Sequence, residues 1–193
     1  MCVNFKTHSV VPDKTKSLLQ ALNDQNQGAI YDHLTTPDVR RCINGRSLTK
    51  NIQNPVRQFT KINTITCLTF ASLVSDDATV RQLVEAGADI AATDSWDHSA
   101  LHYACASDVD SDAKVAYLMQ RGASSQIATD ASEQVVLGPE FYSRSLRLAA
   151  WLNQASRVRA LIDDHHASVN ATDGRGRTAL HAASRAGSAE ATN

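Results

Sequence analysis

Ser99, His102 and Asp94 place a hydroxyl, an imidazole and a carboxylate in one short stretch, the residue types of nucleophilic hydrolysis. The chain repeats the arrangement with Thr178, His181 and Asp173 at the same mutual spacing. That recurrence argues against catalysis. A catalytic constellation is needed once, whereas every helix leaves unpaired N–H groups in its first turn that a Ser or Thr oxygen can accept. Ser99 and Thr178 therefore read as helix caps, and no catalytic residue is assigned. The other chemistry is thin. Asp108-Val109-Asp110-Ser111-Asp112 has the carboxylate density of a calcium loop, but Ala113 and Met119 stand where such a loop needs glycine and glutamate. His165 and His166 are adjacent in a turn, a poor arrangement for holding a metal unaided. Cys2, Cys42, Cys67 and Cys105 include no C-x-x-C pair, and Cys67 and Cys105 read as small buried residues. Neither a phosphate-binding glycine loop nor H-E-x-x-H is present, so no metal and no cofactor is expected.

The elements that carry these residues are short helices in a repeating frame. Ser99-Ala100-Leu101-His102-Tyr103-Ala104 and Thr178-Ala179-Leu180-His181-Ala182-Ala183 share a hydroxyl residue, a small residue, leucine, histidine and a later alanine. Weaker copies are Thr66-Cys67-Leu68-Thr69-Phe70-Ala71 and Arg144-Ser145-Leu146-Arg147-Leu148-Ala149. The registers start at 66, 99, 144 and 178, in steps of 33, 45 and 34, the middle step carrying an insertion. A period near 33 built on this phrase marks a helical solenoid.

Over Thr66 to Gly187 the sequence resembles the ankyrin repeat family. The resemblance implies an all-α fold, a solenoid of helix-turn-helix units joined by β-hairpin-like turns, with a degenerate N-terminal cap and an incomplete last repeat. The chain then divides into a tail over 1–12, a degenerate capping repeat over 13–44 and an inserted loop over 45–65. Ankyrin repeats follow over 66–98, 99–143 (with a long inserted loop) and 144–177, then a partial repeat over 178–193. Leu18, Leu19, Leu22, Ile30 and Leu34 supply the apolar side of the capping unit. In the next unit, helix one is expected over Thr66–Leu73, with Asp76 and Asp77 at the start of helix two and Gly87 at its end. Arg144 to Asn153 is the expected first helix of the third repeat. Gly176 suits a turn that excludes a Cβ, whereas Asp97 replaces the glycine expected at the matching turn. Arg46, Lys50, Arg57 and Lys61 would give the 45–62 loop a basic face, either as a plain surface loop or as a partner-binding extension.

Net charge is −1, but segments 1–66, 67–143 and 144–193 carry +5, −9 and +3. An acidic middle predicts either a partner with basic groups or a solvated face. A basic patch with interleaved aromatics is lacking, so no nucleic acid is expected. No apolar run nears the roughly 18 residues of a membrane span. The expected location is the cytoplasm or nucleus, as a monomer.

What is left is a binding surface. In the resembled family, hairpin tips and the exposed side of each first helix form a concave wall that holds protein partners. Carried over, the tip positions are Ser95, Trp96, His98, Gly174, Arg175 and Arg177. The first-helix positions are Leu73, Val74, Ala106, Ser107, Arg185 and Ala186. The implied function is a non-enzymatic protein–protein interaction module. The alternative is the N-terminal targeting or regulatory part of a larger protein, with an enzymatic or signalling domain beyond Asn193. A third reading is a free-standing inhibitor.

Overall fold

The computed structural model describes residues 13–39, 43–45, 65–94, 96–123, 128–129 and 135–187. Their α-helices are α1 (Asp13–Asn23), α2 (Gln27–Leu34), α3 (Cys67–Val74), α4 (Asp77–Glu85), α5 (Ala100–Cys105), α6 (Ser111–Gln120), α7 (Pro139–Trp151), α8 (Ala155–Asp163) and α9 (Ala179–Ala186). Two short strands, β1 (Ala128–Thr129) and β2 (Val135–Val136), pair antiparallel with Ala128 opposite Val136.

Helices of six to thirteen residues are marginal alone and must be held by packing. Each first helix packs on its own second helix, α1 on α2, α3 on α4, α5 on α6 and α7 on α8. The first helices also touch one another in chain order, α1 to α3 to α5 to α7 to α9, which is a solenoid. Small side chains permit that approach. Ala71, Ala100, Ala104 and Ala149 are buried in the stack, beside Phe70, Leu101 and Tyr103. The second helices follow the expected pattern, with Val80, Leu83 and Val84 buried and Asp76 accepting the Thr79 N–H at 2.9 Å.

Polar side chains tie each unit to the one before it. Lys114 on α6 is wholly buried, and its ammonium donates to the Ser72 carbonyl (2.8 Å), the Ser75 carbonyl (3.0 Å) and Ser107 Oγ (3.0 Å). These carbonyls end α3, where a helix has unpaired acceptors and partial negative charge. Burial pulls the Lys114 amine down to about 8, against the pull of Asp110, Asp76 and Asp77. Arg157 on α8 does the same one unit on, donating to the Cys105 carbonyl at the end of α5 at 2.5 Å. Asn44, closing the capping unit, accepts from the Asp89 N–H (2.8 Å) and donates to the Gly87 carbonyl (3.1 Å).

The Asp108–Asp112 run works in the same way. Asp108 accepts from Ser156 (2.6 Å), Asp110 from the Asp77 N–H (3.3 Å) and Asp112 from Arg157 (3.4 Å). Among the described residues no group of three His, Cys, Asp or Glu side chains is placed to hold a metal ion.

Some expectations change. The third first helix begins at Pro139 rather than Arg144, so the end of the expected inserted loop is helical. Proline's fixed φ suits the first helical position after Gly138, and burial of Phe141 holds the added turn in place. His165 is half-buried and stacks on Tyr142 (4.5 Å, 11°), while His166 takes a left-handed φ of 51°. Leu180 holds the place in the repeated phrase that Leu68, Leu101 and Leu146 hold in theirs. Those three are buried, whereas Leu180 is 60% exposed on α9. The 1–12 tail, the basic face of the 45–65 loop and residues 188–193 lie outside the described residues.

Candidate functional site

The groove between the turn tips and the first helices is built on two copies of one turn. In the first, the Asp94 N–H donates to the His98 carbonyl (3.0 Å), and Asp94 Oδ1 accepts from the backbone N–H groups of Trp96 (2.7 Å) and His98 (2.9 Å). In the second, the Asp173 N–H donates to the Arg177 carbonyl (3.0 Å), and Asp173 Oδ1 accepts from the Arg175 (2.9 Å) and Arg177 (3.0 Å) N–H groups. An aspartate that folds the backbone over its own carboxylate is a local turn device. The third residue after each aspartate is left-handed, Asp97 at φ 60° and Gly176 at φ 72°. The missing glycine therefore does not alter the turn, because aspartate tolerates this region better than most residues.

Each turn runs into a helix cap. The Ser99 N–H donates to His102 Nδ1 (3.2 Å), and Ser99 Oγ lies 3.0 Å from the same nitrogen. Thr178 and His181 reproduce the pair at 3.3 and 2.8 Å. In the unit before them Thr69 replaces the histidine, and Thr66 and Thr69 exchange bonds of 3.0 and 3.2 Å. Because His102 Nδ1 accepts from a backbone N–H, its proton sits on Nε2. Burial, then the nearby His98 and Arg144, push its pKa down to about 3.

Asp94, Ser99 and His102 do not assemble a hydrolytic triad. The atom that a triad aspartate would hold, His102 Nδ1, is occupied by the Ser99 cap. The imidazole that Asp94 meets is that of His98, at 3.4 Å, and Asp94 Oδ2 also accepts from the Tyr103 hydroxyl at 2.7 Å. Burial works to raise the Asp94 carboxyl, but His98 and Tyr103 outweigh it and hold it below the usual carboxylate range.

Residues 146–193 match the family described as ankyrin repeats, many copies. The helix pairs before this stretch stack in the same manner, so the described residues have an all-α, ankyrin-like repeat fold. No curated protein matches the chain.

The groove has a volume of about 1230 Å³ and spans three successive units. Of the tip and helix positions carried over from the family, Trp96, His98, Gly174, Arg177 and Arg185 line it. Arg175 is exposed but outside the lining, and Ser95 lies outside the described residues. Ala106 and Ser107 are placed elsewhere. Both are 0% exposed, because Ser107 Oγ donates to the Leu73 carbonyl (2.8 Å) and receives the Lys114 ammonium. Neither presents surface to a partner, and Leu73 is buried as well.

Trp96 is 40% exposed, with its ring edge-on to Trp151 (4.9 Å between centroids, 76°) and near His98 (6.3 Å). Trp151 is buried, yet one side of it lines the groove. Sequence reasoning missed Arg144, Arg147 and His181 as lining residues. The signal was available in part: Arg144 and Arg147 stand one helical turn apart, on the side of α7 opposite the buried Leu146 and Ala149. Among the described acidic residues of the −9 middle segment, Asp97 and Glu140 are the ones in the lining.

Proposed function

We propose that the chain is a non-enzymatic protein-interaction module that holds a protein partner along this groove, acting as a monomer in the cytoplasm or nucleus. Ankyrin repeats are in general protein–protein interaction modules. The observation that carries the reading is the half-exposed Trp96 on a rigid turn, at the mouth of a groove floored by α5, α7 and α9. The turn is fixed by four hydrogen bonds between Asp94 and the backbone of Trp96, Asp97 and His98, so little ordering entropy is lost when a partner docks. The hydroxyl and histidine residues that could have done chemistry are committed to helix caps. The buried thiols of Cys67 and Cys105 suit a reducing compartment.

Identification of the partner by affinity capture and mass spectrometry, followed by titration calorimetry with Trp96→Ala, tests this. The variant should lose about 2 kcal/mol of binding, as an aromatic anchor does. A change under a few tenths of a kcal/mol, with the circular-dichroism spectrum intact, would remove Trp96 from the interface.

A further inference from the structure

The lining of the groove points to the chemistry of its occupant. Arg144, Arg147, Arg177 and Arg185 face it, against the carboxylates of Asp97, Glu140 and Asp173. Asp173 is already committed to Arg177, with side-chain contacts of 2.6 and 2.8 Å in addition to its backbone bonds. What Arg144 reaches at Asp97 is the backbone carbonyl, at 3.3 Å, and not the carboxylate. Arg147 is half-buried, and its bond among the described residues is a long one, 3.5 Å to the Ala171 carbonyl. Neither Arg144 nor Arg147 has a carboxylate in ion-pair range among the described residues.

A guanidinium offers five donors in a fixed fork that suits a carboxylate, and partial burial makes an unmatched one costly. Burial most disfavours the Arg147 charge; Asp173 offsets part of that cost, and the neighbouring Arg144 and Arg177 add smaller repulsions. An anion arriving between these groups would relieve that repulsion. Beside them, the Trp96–Trp151 pair gives an apolar ledge.

Resting on the interaction-module reading above, we infer that the occupant is an extended acidic peptide segment, with carboxylates paired to Arg144 and Arg147 and an apolar residue against Trp96. This replaces the basic partner expected from the charge count, because the acids that make that count lie mostly outside the groove. A nucleic-acid strand fits less well. Its continuous phosphates would meet Asp97 and Glu140, and among the described residues no lysine lines the groove to track a backbone.

Fluorescence anisotropy with labelled decapeptides tests the inference on the full chain. The probes alternate Glu with Leu and Phe, and are compared with versions carrying Gln or Lys in place of Glu and with a labelled single-stranded DNA oligonucleotide. The Glu peptide should bind about tenfold tighter than the Gln peptide and weaken with added salt. Arg144→Gln, on an exposed side chain that can be lost without unfolding, should reduce Glu-peptide binding about fivefold, and Arg144→Gln with Arg147→Gln further still. Arg159→Gln, on α8 outside the groove, should leave it unchanged. Equal binding of Gln peptides, preference for Lys peptides or for the oligonucleotide, or no Glu-peptide binding up to about 1 mM overturns the inference. If Gln or Lys peptides bind and Trp96→Ala abolishes that binding, the groove is still the docking site and only the acidic occupant is wrong.

Discussion

The stretches Asp94–His102 and Asp173–His181 are one device built twice and put to different uses. Their backbones agree bond for bond: the same carboxylate-held turn, the same left-handed third residue, the same hydroxyl–histidine cap. Their surroundings do not agree. Asp94 is buried and takes the Tyr103 hydroxyl, whereas Asp173 is half-buried and takes Arg177. Where the first unit has Tyr103, the second has Ala182, which offers no donor. His102 is buried under Phe141, with ring centroids 4.7 Å apart, while His181 is exposed. Local hydrogen bonding fixes the shape in both, and stacking against the next unit decides how much each bond is worth.

The sharpest way to break the comparison is to remove the two aspartates in turn. Asp94→Ala removes the carboxylate that the wholly buried Tyr103 hydroxyl and two backbone N–H groups donate to, and should cost about 3 kcal/mol in urea unfolding. Asp173→Ala exposes its freed donors to water and should cost about 1 kcal/mol. Equal losses would mean that burial does not distinguish the two turns.

Acid should separate the histidines next. The pKa of His102 falls from 6.5 to about 3 on folding, so below the unfolded value the unfolded chain takes up a proton that the folded chain refuses. Its stability contribution is intact above pH 6.5 and is lost progressively as pH falls toward 3, by about 2 kcal/mol at pH 5. In His102→Gln that part of the slope between pH 7 and pH 5 should vanish, read from unfolding midpoints across the range.

The smallest effect lies at the turn residue. Gly176→Ala puts a Cβ on a φ of 72° and should destabilise by about 1 kcal/mol, while Asp97→Gly relieves a φ of 60° and should stabilise by about 0.5 kcal/mol. Thermal unfolding of the pair reads both signs.

Much of this architecture is legible in the sequence. The repeated hydroxyl–leucine–histidine phrase located α3, α5 and α9 within a residue or so, because a cap and an apolar stripe are written in adjacent side chains. The start of α7 was misplaced for the same reason. Arg144 replaces the hydroxyl, so the cap signal was missing, and the true start lay at Gly138-Pro139 inside what looked like an insertion. At the candidate site, Trp96, His98, Gly174, Arg177 and Arg185 were readable from turn and register positions. The burial of Ala106 and Ser107 was not, since it depends on Lys114 arriving from the following helix.

By itself the sequence determined the period, the caps and the turns, all of which are set by neighbours within a few residues. Only the tertiary structure decided which cations face the groove, that Lys114 and Arg157 close the helix ends of the preceding units, and that the acidic run ties units together. Those outcomes rest on contacts between residues some forty to fifty positions apart, and no local pattern encodes which stacked side chain keeps its water and which loses it.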